Sequence, residues 1–186
     1  QNAASGILKP FGVKTAHEEE PLIVKEELQR LVRQGQSDLE AVHANFVVRA
    51  LRFDDLDAKD VMVHRLDMRF IDVSTPKDQI LGKIGKIPHS RIPVCRGDLD
   101  DLVGVVYVND IVRTYESENF SLEKICRPPI VVPENLTLDK VVSRMREDRT
   151  QILIVVDEYG GTSGLITLED VVEEIFGELE DKLESE

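Results

Sequence analysis

A hydroxyl group and a carboxylate stand three residues apart in Thr167 and Asp170, where a strand-like apolar segment runs into a helix-like one. Unpaired amides and the positive dipole end of a helix N-terminus favour an anion such as phosphate. A carboxylate can also accept hydrogen bonds from two neighbouring hydroxyl groups. The same two residues fit a capping box, which stabilises a helix by about 1 kcal/mol. Ligand binding and helix capping are compatible, and both interpretations remain open.

The segment that carries this pair has a second copy sixty positions upstream. Gly104 aligns with Gly164 and Asp110 with Asp170, whereas Tyr107 stands in place of Thr167. Tyrosine cannot make the threonine cap, and its ring would crowd a neighbouring cleft. The sequence therefore predicts a repeated unit in which the first copy of the site is empty or altered.

Both copies predict the order strand, helix, strand, strand, helix. The predicted strands cover residues 70–73, 92–95 and 102–108 in the first copy and residues 130–132, 152–156 and 164–166 in the second. Ser74 or Thr75 is expected to cap a helix whose first residue is Pro76. The paired glycines Gly160 and Gly161 permit positive φ in a hairpin turn.

A unit of about sixty residues buries too little surface to be stable alone, so the two copies are expected to pack together. The predicted fold class is α+β. Residues 1–57 are predicted to form a linker and two short helices, at about 25–34 and 39–50, residues 58–115 the first repeat, and residues 116–186 the second repeat with an acidic C-terminal helix.

Composition excludes several classes of function. The net charge of −13 would repel the phosphate backbone of a nucleic acid. No apolar run approaches the ~20 residues that cross a bilayer, so the chain is expected to be soluble. It starts at Gln1 without a methionine or signal-like core, which suggests a piece of a longer protein.

The chain offers little for metal binding or catalysis. Cys95 and Cys126 are isolated, which favours reduced thiols in a cytosolic compartment, and the histidines lack the HExxH spacing. The many acids of the last helix predict a solvated face, with a Mg²⁺ site as the alternative. With no P-loop and no nucleophile–base arrangement, the sequence predicts neither a metal site nor an enzyme.

Several stretches together resemble a known family. They are Asp60-Val61-Met62 with Arg65, Ser90-Arg91-Ile92-Pro93-Val94, and Asp157-Glu158-Tyr159-Gly160-Gly161 followed by residues 164–170. From about residue 58 to 180 the chain resembles a cystathionine-β-synthase (CBS) domain pair, and more narrowly the cytosolic part of the CorC/HlyC family, relatives of the cyclin M proteins. The resemblance implies tandem CBS domains with pseudo-twofold symmetry. It also implies a membrane domain upstream that moves Mg²⁺ or Co²⁺, to which the N-terminal helices would connect.

CBS pairs bind adenosine nucleotides in the clefts between their repeats, so the resemblance implies AMP or ATP as ligand, with Mg²⁺ on the phosphates of ATP. It gives Thr167 a contact with ribose or phosphate and gives Asp170 the ribose hydroxyls. Ser90 and Arg91 would face the phosphates, and the adenine would lie among Met62, Ile71 and Pro93.

Two alternatives stay open at the level of single residues. Arg91 could instead pair with Asp98 or Asp100 on the surface. Between Met62 and Arg65 the family commonly has Thr-Pro where this chain has Val63-His64, which leaves the selectivity for the base open.

The function implied is a regulatory, nucleotide-binding CBS pair that controls an attached Mg²⁺/Co²⁺ transport domain. It would act at the cytoplasmic face of the inner (plasma) membrane, as a homodimer that associates through its CBS helices. The alternative is a ligand-free structural module that dimerises within the same transporter.

Overall fold

The computed structural model describes Arg30 and residues 41–177, with side chains from Phe46 onward. The chain divides into two compact units, Gln1–Leu51 and Arg52–Glu186. Helix α1, Ala41–Arg52, confirms the second predicted N-terminal helix. The first, at about residues 25–34, lies outside the described residues apart from Arg30. No described helix is both long and apolar enough to cross a bilayer.

The second unit contains the predicted repeat twice, after a single 3₁₀ turn at Phe53–Asp55. The first copy consists of α2 (Ala58–Val61), β1 (Val63–His64), β2 (Ile71–Asp72), α3 (Lys77–Ile84), β3 (Arg91–Arg96), β4 (Asp98–Tyr107) and α4 (Val108–Thr114). The second consists of α5 (Leu122–Ile125), β5 (Val131–Pro133), α6 (Leu138–Glu147), β6 (Ile152–Val156), β7 (Thr162–Thr167) and α7 (Leu168–Phe176).

The strands form two sheets that repeat one pattern. The first sheet has the order β2-β3-β4 and the second the order β1-β7-β6-β5. In each, the strand before the long helix runs parallel to its neighbour, and the following hairpin is antiparallel. An isolated bridge between Val105 and Arg127 extends the first sheet where β1 extends the second. The α+β class and the pseudo-twofold relation between the repeats are thereby confirmed.

The segment that leads into each repeat joins the sheet of the other repeat. We call residues 56–64 and 121–127 the leading segments. In the first, Val63 pairs with Leu165 of β7. In the second, Arg127 exchanges two backbone hydrogen bonds of 2.9 Å with Val105 of β4. Each sheet is therefore completed by a segment that precedes the other repeat in the chain.

Glycine is required where each leading segment lies against the last strand of the other repeat. A Cβ atom on Gly164 would lie 2.3 Å from the carbonyl oxygen of Val63, and one on Gly104 would lie 2.5 Å from that of Arg127. Backbone atoms in a sheet cannot move aside as the end of a flexible side chain can. The alignment of Gly104 with Gly164 in the sequence thus reflects one close backbone approach made twice.

Three apolar clusters hold the unit together. One lies under the second sheet and includes Ala58, Leu138, Val141, Leu153 and Ile166. Another lies under the first sheet and includes Ile71, Ile80, Ile92, Val106 and Leu122. The third joins the repeats through Met68, Val105, Ile152, Ile154 and Leu165. Since β6 contributes side chains to clusters on both of its faces, its sequence is an unbroken run of apolar residues.

The turn before α3 differs from the prediction. The helix begins at Lys77, Pro76 is its N-cap, and no side chain caps it, so the predicted Ser74 or Thr75 cap is wrong. The carboxylate of Asp72 instead accepts hydrogen bonds from the amides of Ser74 (2.7 Å) and Gly97 (2.8 Å). The side-chain hydrogen bond from Ser74 is the main cause that lowers the pKa of Asp72. Asp72 thereby ties this turn to the β3–β4 hairpin.

In the hairpin turn after β6, only the first of the paired glycines has the positive φ that the sequence predicts. Gly160 has a φ of 83°, whereas the φ of Gly161 is not positive. A Cβ on Gly161 would lie 2.9 Å from Oδ2 of Asp157, whose Oδ1 accepts a hydrogen bond from the Gly161 amide, so a side chain there would displace this carboxylate.

Both cysteines are free thiols. Cys95 is buried and Cys126 is half-buried. Burial is the largest cause that raises the pKa of each thiol to about 11, with nearby carboxylates such as Asp72 and Glu123 acting in the same direction. Both thiols are thus protonated and weakly nucleophilic near neutral pH.

We expect Gly164→Ala and Gly104→Ala each to lower the free energy of unfolding by about 1–3 kcal/mol, because the new methyl group meets backbone oxygen. Thermal unfolding followed by circular dichroism measures this. Gly82→Ala is the matched control, since a Cβ at that helical position meets no atom within 4 Å apart from its own stretch of helix backbone. An unfolding midpoint for Gly164→Ala equal to that of the wild type would contradict the close approach.

Candidate functional site

A cavity of about 310 Å³ opens between the two repeats, next to the junction of β7 and α7. Its volume lies at the lower end of the range of ~300–1,000 Å³ that is common for small-molecule sites. The wall comes from both repeats and from the chain between β1 and β2. It consists of Val63, Asp67, Met68, Arg69, Pro88, His89, Ser90, Arg91, Pro93, Ile152, Leu165, Thr167, Glu169 and Asp170.

Thr167 and Asp170 form a closed capping box at the start of α7. Oδ2 of Asp170 accepts hydrogen bonds from the backbone amide and the hydroxyl of Thr167, each at 2.7 Å, and Oγ1 of Thr167 accepts from the amide of Asp170 at 3.2 Å. The capping interpretation is therefore confirmed. The other carboxylate oxygen, Oδ1, makes no hydrogen bond to any described residue, so Asp170 keeps acceptor capacity on the cavity wall.

The N-terminus of α7 offers fewer free amides than the sequence suggests. The capping box occupies the amides of Thr167 and Asp170, and the amide of Leu168 donates to the carbonyl of Gln151 at 3.1 Å. An anion in this cavity would thus depend more on cationic side chains than on the helix end.

Arg91 is the cation that reaches across the repeats. Its Nη2 donates to Oε1 of Gln151, the residue aligned with it in the second repeat, and its Nη1 lies 3.8 Å from Oε1 of Glu169. Its Nε is buried and has no hydrogen-bond partner among the described residues. An unsatisfied buried donor costs about 1–3 kcal/mol, so a ligand oxygen that reached it would be favoured.

Arg91 does not pair with Asp98 or Asp100, and that alternative is wrong. Both acids lie near Arg65 instead, at 3.6 Å and 3.2 Å. Oδ1 of Asp100 also accepts a hydrogen bond of 2.7 Å from the amide of Thr162 in the second repeat. This hydrogen bond, and after it the guanidinium of Arg65, hold the pKa of Asp100 below its usual value, although burial opposes them.

The structure brings most of the predicted site residues together. Thr167, Asp170, Ser90, Arg91 and Pro93 all line the cavity. The predicted adenine contacts Met62 and Ile71 do not line it.

Met62 and Ile71, which do not line the cavity, belong to the apolar cores under the two sheets. Ile71 is fully buried in the cluster under the first sheet. Met62 packs against the cluster under the second sheet and beside Gly164. Val63, the residue after Met62, takes the place on the cavity wall.

Two parts of the cavity lining were not predicted from the sequence. One is its apolar wall, and the other is the segment that crosses from the second sheet to the first. Leu165 and Ile152 belong to the cluster between the repeats, whereas their neighbours Ile166 and Leu153 belong to the core under the second sheet. Successive side chains of a strand point to opposite faces of the sheet, and this alternation could have assigned each of these residues to its cluster. Asp67 and Arg69 lie where the chain passes from β1 in the second sheet to β2 in the first, and no motif marks that crossing.

The corresponding position in the first repeat is built differently. Nη2 of Arg127 lies 3.0 Å from Oδ2 of Asp110, and its guanidinium carbon lies 4.0 Å from the centre of the Tyr107 ring. Nη1 of Arg113 lies 3.9 Å from Oδ1 of Asp110, so an arginine lies beside each oxygen of this carboxylate, whereas Asp170 in the second repeat keeps Oδ1 open.

The described residues contain no group of three or more histidine, cysteine or acidic side chains placed to hold a metal ion. The acids of the last helix that were considered for Mg²⁺ extend beyond Gly177, outside the described residues.

Comparison with known proteins gives the same picture of the repeats. The family model described as "CBS domain" matches residues 58–117 and 122–177. Hemolysin C from Brachyspira hyodysenteriae is 32% identical over 88% of this chain and 65% of its own length. The magnesium and cobalt efflux protein CorC from Pasteurella multocida is 32% identical over 87% of this chain and 55% of its own length. The chain therefore spans less than two thirds of each of these relatives.

Solved structures of CBS domains are also similar to this chain, and two of the following three contain a nucleotide. A CBS domain of the bacterial CNNM/CorC family Mg²⁺ transporter is 32% identical, with a TM-score of 0.75 over 84% of this chain and 98% of its own. The same kind of domain in complex with ATP is 34% identical, with a TM-score of 0.68 over 74% of this chain and 99% of its own. A CBS domain pair with bound AMP from Klebsiella pneumoniae is 31% identical, with a TM-score of 0.59 over 66% of this chain and 99% of its own.

We expect Thr167→Ala to lower the free energy of unfolding by about 1 kcal/mol, because the amide of Asp170 loses its cap. Thermal unfolding of the chain without ligand measures the change. Thr167→Ser keeps the hydroxyl group and is the control, so its midpoint should stay close to that of the wild type. Equal midpoints for alanine and serine would show that the cap contributes nothing.

Proposed function

The chain belongs to the CBS domain family, as a CBS pair of the CorC/HlyC type, and from this premise we propose that the cavity between its repeats binds an adenosine nucleotide. The observation behind the proposal is that one cavity is lined by both the guanidinium residue Arg91 and the carboxylate residue Asp170, whose Oδ1 accepts no hydrogen bond from the described residues. Related CBS domains in complex with ATP and AMP support it.

The residues present suit the three parts of a nucleotide. Asp170 would accept hydrogen bonds from the ribose hydroxyls, which its capping role leaves possible. Val63, Ile152, Leu165 and Pro93 offer apolar lining for the base. Thr167 adds a hydroxyl group at the edge of this wall.

The phosphate end would face the positive part of the lining. Arg91 and Arg69 are the cations of the cavity, and Ser90 and His89 add hydrogen-bonding groups. Asp67 and Glu169 are also in the lining, and the chain carries a net charge of −13. A triphosphate would thus be favoured when Mg²⁺ offsets its charge, whereas a monophosphate needs no such help.

We further propose that occupancy of this cavity regulates a transport domain attached to the chain in a longer protein at the cytoplasmic face of the membrane. The CorC relative is described as a magnesium and cobalt efflux protein and is longer than this chain. A ligand that contacts both repeats stabilises one arrangement of them over others. β1, which carries Val63 into the cavity wall, follows closely on the N-terminal unit in the chain and would pass such a change toward it.

This role makes the chain a binding module rather than an enzyme, and we propose a homodimer as the form in which it acts. The rival function is a structural module that dimerises with empty cavities. The two differ in whether a nucleotide changes the stability of the chain.

We expect AMP, or ATP with Mg²⁺, to raise the unfolding midpoint. A ligand at one hundred times its dissociation constant adds about 2.7 kcal/mol. For a chain of this size that corresponds to roughly 5 to 10 °C. Thermal unfolding with AMP, ADP, ATP, and ATP plus Mg²⁺ measures the shift, and the absence of any rise would leave the structural module as the function.

Two aspartate variants assign the effect to one cavity. Asp170→Ala should abolish the nucleotide-induced rise, whereas Asp110→Ala should keep most of it. Because Asp170→Ala also removes part of a helix cap, each variant is compared with its own midpoint without ligand. An equal loss in both variants would contradict a single site in the second repeat.

A further inference from the structure

Val63 and Arg127 occupy equivalent positions in the two halves of the molecule. Each follows a short helix of a leading segment, and each pairs with the last strand of the other repeat. Their partners, Leu165 and Val105, are sixty residues apart, which is the offset of the repeat. The backbone thus delivers the side chains of residues 63 and 127 to corresponding places beside β7 and β4.

The two side chains have opposite effects on the clefts they reach. Val63 forms part of the wall of the open cavity, together with Thr167 and Asp170. Arg127 lies with its guanidinium carbon 4.0 Å from the centre of the Tyr107 ring and with Nη2 3.0 Å from Oδ2 of Asp110. Tyr107 and Asp110 are the counterparts of Thr167 and Asp170.

We propose that the side chain of Arg127 covers the first cleft from its solvent side and confines nucleotide binding to the second. This inference rests on the nucleotide site proposed above and adds the residue that limits the number of sites. The guanidinium of Arg127 pairs with Oδ2 of the Asp110 carboxylate, which would otherwise accept hydrogen bonds from ribose hydroxyls, and the exposed Arg113 lies at a longer 3.9 Å from Oδ1. Because the guanidinium group of Arg127 lies against the Tyr107 ring, it also covers the place that corresponds to Thr167 in the second cavity.

The aromatic ring of Tyr107 helps to hold the guanidinium group of Arg127 beside Asp110. The guanidinium carbon of Arg91 lies 5.6 Å from the centre of the Tyr107 ring, so the ring lies near two cations. Aromatic faces attract guanidinium groups. The substitution of tyrosine for threonine and the presence of Arg127 therefore act together, and opening the first cleft requires both to change.

Removal of the Arg127 side chain should leave the fold intact. The side chain is 59% exposed, and ion pairs with so much exposure contribute little to stability. The link between the leading segment and β4 is made by backbone atoms of Arg127 and Val105, which a substitution at position 127 retains.

The test introduces two residues of the second cleft into the first, through the double variant Tyr107→Thr, Arg127→Val. Adenosine and AMP are titrated into wild type and variant by isothermal calorimetry. Adenosine is included because Gln151 stands where the second cavity has Arg91, so the first cleft lacks that cation for phosphate. The variant is expected to bind one more equivalent per chain than the wild type with at least one of the two ligands.

Controls separate this inference from the proposed function. Tyr107→Thr alone retains Arg127 and should gain nothing. Val63→Arg, the reciprocal change, should lose the equivalent that the wild type binds. A folded double variant that gains no equivalent with either ligand overturns the role of Arg127, even if the wild type binds AMP. A loss of an equivalent in the double variant also overturns it, because Arg127 would then be a ligand contact.

If the wild type binds neither ligand, the proposed nucleotide site of the second repeat fails on its own. A gain of one equivalent in the double variant would still support the blocking role of Arg127 in that case.

Discussion

The close approach of two backbone segments at Gly104 and Gly164 is the constraint on which the rest of this unit depends. At each glycine, the leading segment of one repeat crosses against the last strand of the other, with a carbonyl oxygen where a Cβ atom would stand. Because the exchange is reciprocal, neither sheet is complete without residues that belong to the other half of the chain. The shared cluster of Met68, Val105, Ile152, Ile154 and Leu165 is then enclosed between the sheets. The cavity lies at the edge of this cluster, and the crossing places Val63 in its wall.

A nearly symmetric backbone carries two clefts with different chemistry. The hairpins, the glycines and the acids at the helix starts correspond at an offset of sixty residues. Differences that bear on the clefts include side chains that the crossing segments and strand ends supply, Val63 against Arg127, Thr167 against Tyr107, and Arg91 against Gln151. One cleft keeps an open carboxylate oxygen and an unpartnered guanidinium nitrogen, whereas the other pairs its carboxylate with an arginine. A duplicated fold can thus keep its architecture while only one of its sites stays available to a ligand.

The features that follow local rules could be predicted from the sequence. Strand and helix periodicity located the repeated elements, and the spacing of Thr167 and Asp170 indicated the capping box that the structure contains. The crossing of the leading segments could not be predicted, because β1 has only two residues and its pairing is decided by a strand a hundred residues away. That crossing explains why Val63, and not Met62, lines the cavity. Arg127 belongs to no motif, and its contact with Asp110 depends on the equivalent pairing of its backbone with Val105 of β4.

Nuclear magnetic resonance of the full chain during an AMP titration tests whether the second cleft is the single ligand site. Methyl signals of Val63 and Leu165 report on the open cavity, and the side-chain Nε–H signal of Arg127 reports on the first cleft, where Arg127 contacts Tyr107 and Asp110. We expect saturable shifts for Val63 and Leu165 with little change for Arg127. Comparable shifts for Arg127, or none for Val63 and Leu165, would contradict a single site in the second cleft.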